Sequence, residues 1–492
     1  MKIVVGYPPL KSDKGIPLLA QNRQFQWFNS PTYIFPVVPA QMATLLASQG
    51  HQVVWLDGIA ENLDFDTWLT RLAAAAADLL VFETKTPVVK QHWQQVARIK
   101  QCLPQMHIVM VGDHVTALPE ESMKACPVDF VVTGGNYDFL VANLCAYLEG
   151  KAELEGGIYY RREGEIQNSG SFELDHDLNT LPFIDRDLVQ WKLYAYKNGN
   201  FRRTPGTYIM AGRDCWHGRC TFCSWTTLYT RWHSRTVENV LDEIGQLIEH
   251  YHVAEIMDDT GCFPQGEWLR QFCKGMIARG YHQRLTLDAN MRFGACTPED
   301  FKLMRQAGFR FLLFGLESAN LKTLERIKKR SPGVEQIIAD CRAATAAGLK
   351  PHITIMFGYP WETEEDARRT VELGTFLLKK GLAYTMQSTV MIPYPGTPLF
   401  QECQQNGWLL TDNWDEYDMR DPVMKTPMSS AKVKEMVQCL YKVSYNPEFL
   451  ARKILSIRGM DDLRFFARAG RQVAGHLLDF QAHKQPANEP GA

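Results

Sequence analysis

The sequence predicts an α/β protein made of two successive parallel-sheet units and a small helical end. Three observations lead there. Short apolar runs alternate with longer amphipathic ones over residues 1–150, the alternation resumes at longer spacing over 205–398, and beyond 400 helical periodicity takes over. Such alternation argues for parallel strands, because a crossover helix returns the chain to start the next strand in the same direction. At 492 residues there is room for about three domains.

The first unit, residues 1–150, carries candidate strands at 3–6, 52–56, 79–83, 108–111 and 130–132. Helical patterns separate them near 39–48, 65–77, 88–103 and 119–124, and one near 139–148 completes the unit. This is the pattern of a doubly wound, flavodoxin-like sheet of the Rossmann-like class, which binds ligands beyond the C-terminal ends of its strands. Those ends are rich in glycine and small polar residues: Gly6-Tyr7-Pro8-Pro9, Asp57-Gly58, Glu83-Thr84-Lys85-Thr86, Gly112-Asp113-His114 and Thr133-Gly134-Gly135-Asn136. Each turn alone is also readable as an ordinary tight βα turn. Together they predict a large flat ligand lying close to the backbone.

Residues 151–204 read as a linker holding one hairpin, centred on Gly164, and an irregular segment over 178–183. The second unit, 205–398, has strands at 207–211, 254–257, 286–289, 311–314, 353–357 and 385–392. Six strands with intervening helices predict a partial TIM-type (β/α)6 barrel, whose function belongs on the loops after the strands. Thr297-Pro298 opens one of its helices and Gly308 stops it. Residues 399–492 are predicted to form a helical C-terminal domain, with helices near 430–445 and 447–456 and a disordered tail from His483.

The composition narrows the function. A net charge of −2 gives no basic surface for nucleic acid. The first residues, Lys2-Ile3-Val4-Val5-Gly6-Tyr7, already read as a strand and not as a leader. No apolar run reaches the ~18 residues of a membrane span. A cytoplasmic location is therefore expected. Nine of the twelve cysteines are scattered singly, as small core hydrophobes are in a reducing compartment. The other three stand together in Cys215-Trp216-His217-Gly218-Arg219-Cys220-Thr221-Phe222-Cys223, directly after a barrel strand. Three clustered thiolates leave one position open on a 4Fe–4S cluster, where a substrate can bind. A zinc site using His217 or a distant fourth ligand is the alternative.

With these motifs the chain resembles cobalamin-binding radical S-adenosylmethionine (SAM) enzymes over nearly residues 1–400. The match rests on the cysteine loop, on Gly315-Leu316-Glu317-Ser318, on Gly358-Tyr359-Pro360-Trp361-Glu362-Thr363, and on Pro393-Tyr394-Pro395-Gly396-Thr397-Pro398. In the first unit it rests on Gly112-Asp113-His114-Val115-Thr116 and Asp129-Phe130-Val131-Val132-Thr133-Gly134, and in the linker on Leu181-Pro182-Phe183-Ile184-Asp185-Arg186. Three departures stand out. The cysteines are spaced C-x4-C-x2-C where the family has C-x3-C-x2-C. Gly135-Asn136-Tyr137 replaces the family's glutamate-bearing turn. No Asp-x-His-x-x-Gly follows the second strand, so the usual lower axial histidine of other cobalamin proteins is missing, with His114 a weak substitute.

The resemblance implies the cofactors: a 4Fe–4S cluster on Cys215, Cys220 and Cys223, SAM, and cobalamin. It implies SAM contacts from Phe222 at the adenine, Asp258 and Asp259 at the amino group, Arg292 at the carboxylate, and Glu317 and Ser318 at the ribose. The backbone near Gly358 and Pro393 would also meet the adenine. The cobalamin contacts are expected at Tyr7, Thr84, Thr86, Gly112, His114, Gly134 and Gly135. Taken singly, each polar residue is also readable as a rim salt bridge or a helix cap.

The implied reaction is methyl transfer to a carbon centre of a small-molecule or peptide substrate, through a 5′-deoxyadenosyl radical and methylcobalamin. A low-potential donor such as flavodoxin or ferredoxin would supply electrons. Hydrogen-atom abstraction requires no general base, so no catalytic side chain is nominated. A cobalamin-dependent cyclase or ring-rearrangement enzyme is the alternative, and a non-catalytic cobalamin sensor or structural zinc protein stands further off.

Overall fold

A computed structural model describes residues 1–17, 26–28, 33–198, 201–330, 332–443, 446–455, 457 and 459–479. The expected disorder of the tail from His483 lies outside them.

The first sheet holds β1 (Lys2–Tyr7), β2 (Gln52–Asp57), β3 (Leu79–Glu83), β4 (His107–Val111), β5 (Phe130–Val132), β6 (Ile158–Arg162) and β7 (Glu165–Asn168), in the order β2-β1-β3-β4-β5-β6-β7. The first five run parallel, as the alternation predicts. β6 and β7 are the hairpin of the connector, and they extend the sheet antiparallel at its β5 edge. β1, β3 and β5 are almost wholly buried. Helices cover both faces, so these strands read as continuous Val/Ile/Leu runs instead of alternating ones.

The second sheet is wholly parallel, in the order β8 (Gly206–Ile209), β9 (Glu255–Asp258), β10 (Thr286–Met291), β11 (Phe309–Glu317), β12 (Lys350–Phe357) and β13 (Thr385–Val390). Thr297 and Thr363 each begin a barrel helix with a reciprocal capping box, to Asp300 and Asp366. The register of β11 on β12 shifts between Gly315 and Glu317, and Glu317 takes a φ of 65°. A bulge and a left-handed glutamate at a strand's C-terminal end place strain where side chains are being aimed.

Beyond the barrel lie helices Ser430–Val443, Pro447–Leu455 and Met460–Asp479. The first packs on β12 and β13 through buried Val433, Met436, Val437 and Leu440. The third was not anticipated from the sequence. Among the described residues no helix is long and apolar enough to cross a membrane.

The two units meet face to face at their strand ends. Arg213, buried, donates to Asn136 Oδ1 at 3.0 Å and to Asp138 Oδ1 at 2.7 Å. Gly135 N donates to Leu228 O at 2.9 Å. A Cβ on Gly135 would stand 2.0 Å from the Tyr229 ring, so only glycine permits this close approach.

Candidate active site

An open cavity of about 200 Å³ fills the barrel mouth and continues down between the strands, and Cys215, Cys220 and Cys223 all line it. Their loop is held on several sides. Cys215 pairs through its backbone with Cys262 beyond β9. Thr221 N donates to Ile327 O at 3.0 Å, and Leu399 N donates to Thr221 O at 2.9 Å. His217, in the stretch with the extra residue, donates its Nε2–H to Lys328 O at 2.7 Å. The longer spacing therefore comes with its own anchor, and that nitrogen is already engaged.

Among the described residues no three Cys, His, Asp or Glu side chains gather closely enough to hold a single metal ion. A cubane presents each thiolate to a different iron, so its ligands need not converge on one point. Burial pushes the Cys220 thiol up, and Lys329 and Arg292 oppose this as neighbouring cations. A cationic surround of this kind favours thiolates. The donor set thus fits a cluster.

The positions expected to meet SAM divide into two groups. Phe222, Asp259, Arg292 and Glu317 line the cavity, whereas Asp258, Ser318, Gly358 and Pro393 do not. Asp258 is committed to backbone, accepting from Ala211 N at 2.8 Å and Thr260 N at 2.9 Å, and burial pushes its pKa up to about 6. Ser318 donates to Glu362 Oε1 at 2.5 Å. Gly358, with φ 98°, turns the chain beneath Val433, and Ile392 and Tyr394 on either side of Pro393 supply the wall there. Strand alternation could have separated Asp259 from Asp258, because Met257 also faces inward.

Lys329 was not foreseen. Its Nζ lies 2.7 Å from Glu317 Oε1 on the cavity wall, and the Arg292 guanidinium donates to its carbonyl. No spacing rule pairs residues 317 and 329, which meet only because the chain after helix Leu321–Arg326 doubles back. Gly315 makes room: a Cβ there would stand 2.2 Å from Glu317 Oε1 and 2.6 Å from Lys329 Nζ. One cation–carboxylate pair, Arg292 and Asp259 on a single wall match a zwitterionic amino-acid end with a ribose beside it.

The positions expected to meet cobalamin gather at the seam between the sheet and the barrel, with Tyr7, Thr84, Thr86 and His114 buried. Tyr7 donates to Glu83 Oε2 at 2.8 Å, and the Thr84 hydroxyl lies 2.8 Å from His92 Nδ1. Gly112, with φ 120°, stands where a Cβ would be 2.3 Å from Thr84 O. Gly134 and Gly135 lie beneath the rings of Phe172 and Tyr229, which occupy the space an open cradle would need.

His114 has both ring nitrogens engaged. Nε2 donates to Glu121 Oε2 at 3.1 Å and Nδ1 lies 3.2 Å from Thr86 Oγ1, with the Trp414 ring edge-on at 5.4 Å. It is therefore no ready substitute for an axial ligand. Asn136 Nδ2, Thr227 Oγ1 and His92 Nε2 are buried at or behind this seam without a hydrogen-bond partner. Orphans of this kind call for a polar ligand, and a corrin edged with amide groups fits that need.

Residues 209–374 match the radical SAM superfamily. The chain is 28% identical over 433 residues to an uncharacterised methyltransferase of Pyrococcus horikoshii, covering 86% of this chain and 91% of that one. Its fold resembles that of OxsB, a cobalamin-dependent S-adenosylmethionine radical enzyme solved with aqua-cobalamin and S-adenosylmethionine bound. The TM-score is 0.71 at 14% identity, over 97% of this chain and 72% of that one. It also resembles TsrM, a radical S-adenosylmethionine methyltransferase from Kitasatospora setae solved with cobalamin and a 4Fe–4S cluster. There the TM-score is 0.68 at 15% identity, over 97% of this chain and 99% of that one. The likeness to the radical SAM superfamily thus lies over residues 209–374, and in fold the chain resembles these two solved enzymes over nearly its whole length.

Proposed function

We propose that the protein is a radical SAM methyltransferase that uses a 4Fe–4S cluster and cobalamin to methylate a carbon centre of a small molecule. The observation that carries this reading is the single cavity bearing three thiols at its mouth, with Asp259, Arg292, Glu317 and Lys329 beside them. When bound, the cluster and SAM supply radical chemistry and cobalamin supplies the methyl group.

The chain's own residues bind, orient and exclude water. Cys215, Cys220 and Cys223 hold the cluster, and Lys329 and Arg292 offset their negative charge. Asp259 accepts from the amino group of SAM, Arg292 meets its carboxylate, Glu317 meets its ribose and Phe222 packs on its adenine. Tyr7, Thr84, Thr86 and the orphaned Asn136 and Thr227 meet the corrin edge. The Arg213–Asp138 pair and the Tyr229–Gly135 contact lock the two units together over the mouth, which keeps solvent from reactive intermediates. A low-potential flavodoxin or ferredoxin in the cytoplasm is the fitting electron donor.

The test is anaerobic reconstitution followed by iron and cobalamin determination, a 5′-deoxyadenosine assay and product mass. The reading expects product heavier by one methylene, and a Cys215→Ala, Cys220→Ala, Cys223→Ala variant that makes no 5′-deoxyadenosine. Continued 5′-deoxyadenosine formation in that variant refutes the cluster assignment. An unmethylated, cyclised product replaces methyl transfer with cyclase chemistry.

A further inference from the structure

The two ends of the cavity differ in charge. Asp214, Arg219, Asp259, Arg292, Glu317 and Lys329 are the formally charged residues on its wall. Every one of them stands at a C-terminal strand end or in a loop. The lower wall is built by Tyr208, Phe311, Leu313, His352, Thr354 and Gln387. On β11, Phe311 lies six residues below Glu317, or about 20 Å at ~3.3 Å per residue. Register sets Leu313 beside His352, Gly315 beside Thr354, and Thr354 beside Gln387.

No fixed charge enters this lower wall. Burial pushes the His352 imidazole down to about 4, so it is neutral, with Nδ1 2.8 Å from Thr385 Oγ1. Nearer the N-terminal strand ends, Arg310 closes the space with Glu255 at 2.7 Å and Asp288 at 2.8 Å, and none of the three lines the cavity. One guanidinium thus bridges two carboxylates, and burial together with Glu255 pushes the Asp288 carboxyl well above its usual range. Met257, Met356, Met391 and Met419 complete the wall, with side chains that adapt to irregular apolar shapes.

We infer that the lower chamber takes an uncharged, largely apolar substrate whose hydrogen-bonding group is read by His352, Thr354 and Gln387. A carboxylate, phosphate or ammonium placed there would lose its hydration and find no countercharge. A hydroxyl or carbonyl would meet three side chains able to donate or accept. This inference rests on the proposed function, because it assigns SAM to the charged upper end and leaves the lower wall for the substrate.

The test uses the full chain, reconstituted anaerobically with cluster and SAM. Nile red is bound and followed by fluorescence, then displaced with hexadecan-1-ol or with hexadecanoate, which share a chain length and differ in charge. The alcohol should displace the dye at a concentration roughly tenfold or more below that of the carboxylate. Leu313→Arg, which sets a cation in the wall, should reverse the order; unfolding would instead abolish binding of both. If that variant does not fold, Thr354→Lys provides the same reversal. Absence of dye binding, equal displacement by both competitors, or an unreversed order in a folded variant overturns the inference. A 5′-deoxyadenosine assay on the same preparation separates this failure from failure of the SAM reading itself.

Discussion

Replacing Lys329 by methionine withdraws the cation from a buried pair and leaves its carboxylate behind. Lys329 Nζ and Glu317 Oε1 are 2.7 Å apart, with side chains 12% and 7% exposed. Burial opposes the charge on Lys329, yet Glu317 and the Cys220 thiol beside it hold its pKa above the usual value. An orphaned buried partner destabilises by about 3–5 kcal/mol. Lys329→Met should lose about that much, and Glu317→Gln a comparable amount because Lys329 then faces Arg292 uncompensated. The double variant removes both charges and should lie within about 1 kcal/mol of wild type, a coupling of roughly 5 kcal/mol or more. Anaerobic urea unfolding of the apoprotein, followed by tryptophan fluorescence at constant slope, measures all four corners. Single losses that add to within about 0.5 kcal/mol would refute the pairing.

Two further outcomes follow from the same geometry. Gly315→Ala places a methyl against the far ends of Glu317 and Lys329, so the fold should survive while the pair opens. Losing one charge-assisted contact, about 1.5–3 kcal/mol, should weaken SAM binding by roughly tenfold or more in equilibrium dialysis; an unchanged Kd contradicts the placement of SAM beside this pair. Away from the site, burial pushes the Asp57 carboxyl up to about 6, against donation from Tyr194 Oη at 2.6 Å and from Ile59 and Ala60 N–H. A raised carboxyl favours the protonated fold, so its contribution, about 3 kcal/mol for two pKa units, is complete below pH ~4 and lost as pH rises through ~6. Tyr194→Phe removes a donor that favours the ionised form. It should cost about 1.5–3 kcal/mol at pH 7.5, where Asp57 is charged, and about 1 kcal/mol at pH 5, read from thermal melts; equal costs at both pH values would contradict the assignment.

The parallel order of both sheets was legible because each strand is a local apolar run ending in polar or glycine residues. The hairpin over 158–168 was recognisable as a hairpin, but its joining the first sheet depends on pairing with β5 across intervening chain. Helix Met460–Asp479 follows two other helices in a polar, charged stretch, inside the expected helical C-terminal domain but with no helix of its own foreseen there. Adjacent residues were the hardest to assign at the site. Asp258 and Asp259 are equivalent as composition, and Glu317 and Ser318 are both polar neighbours, until the strand fixes which side chain enters the cavity.

The amino-acid sequence by itself determined the two parallel units, the clustering of three cysteines in one loop, and the concentration of polar motifs at strand ends. These are local properties, set by side-chain periodicity and spacing over a few residues. Only the tertiary structure decided that Lys329 joins Glu317 beside Cys220, that His217 anchors the lengthened loop on Lys328, that Phe172 and Tyr229 lie over Gly134 and Gly135, and that charge ends partway down the barrel. Each depends on contacts between residues far apart in the chain, formed because close packing of two sheets brings their loops to one seam.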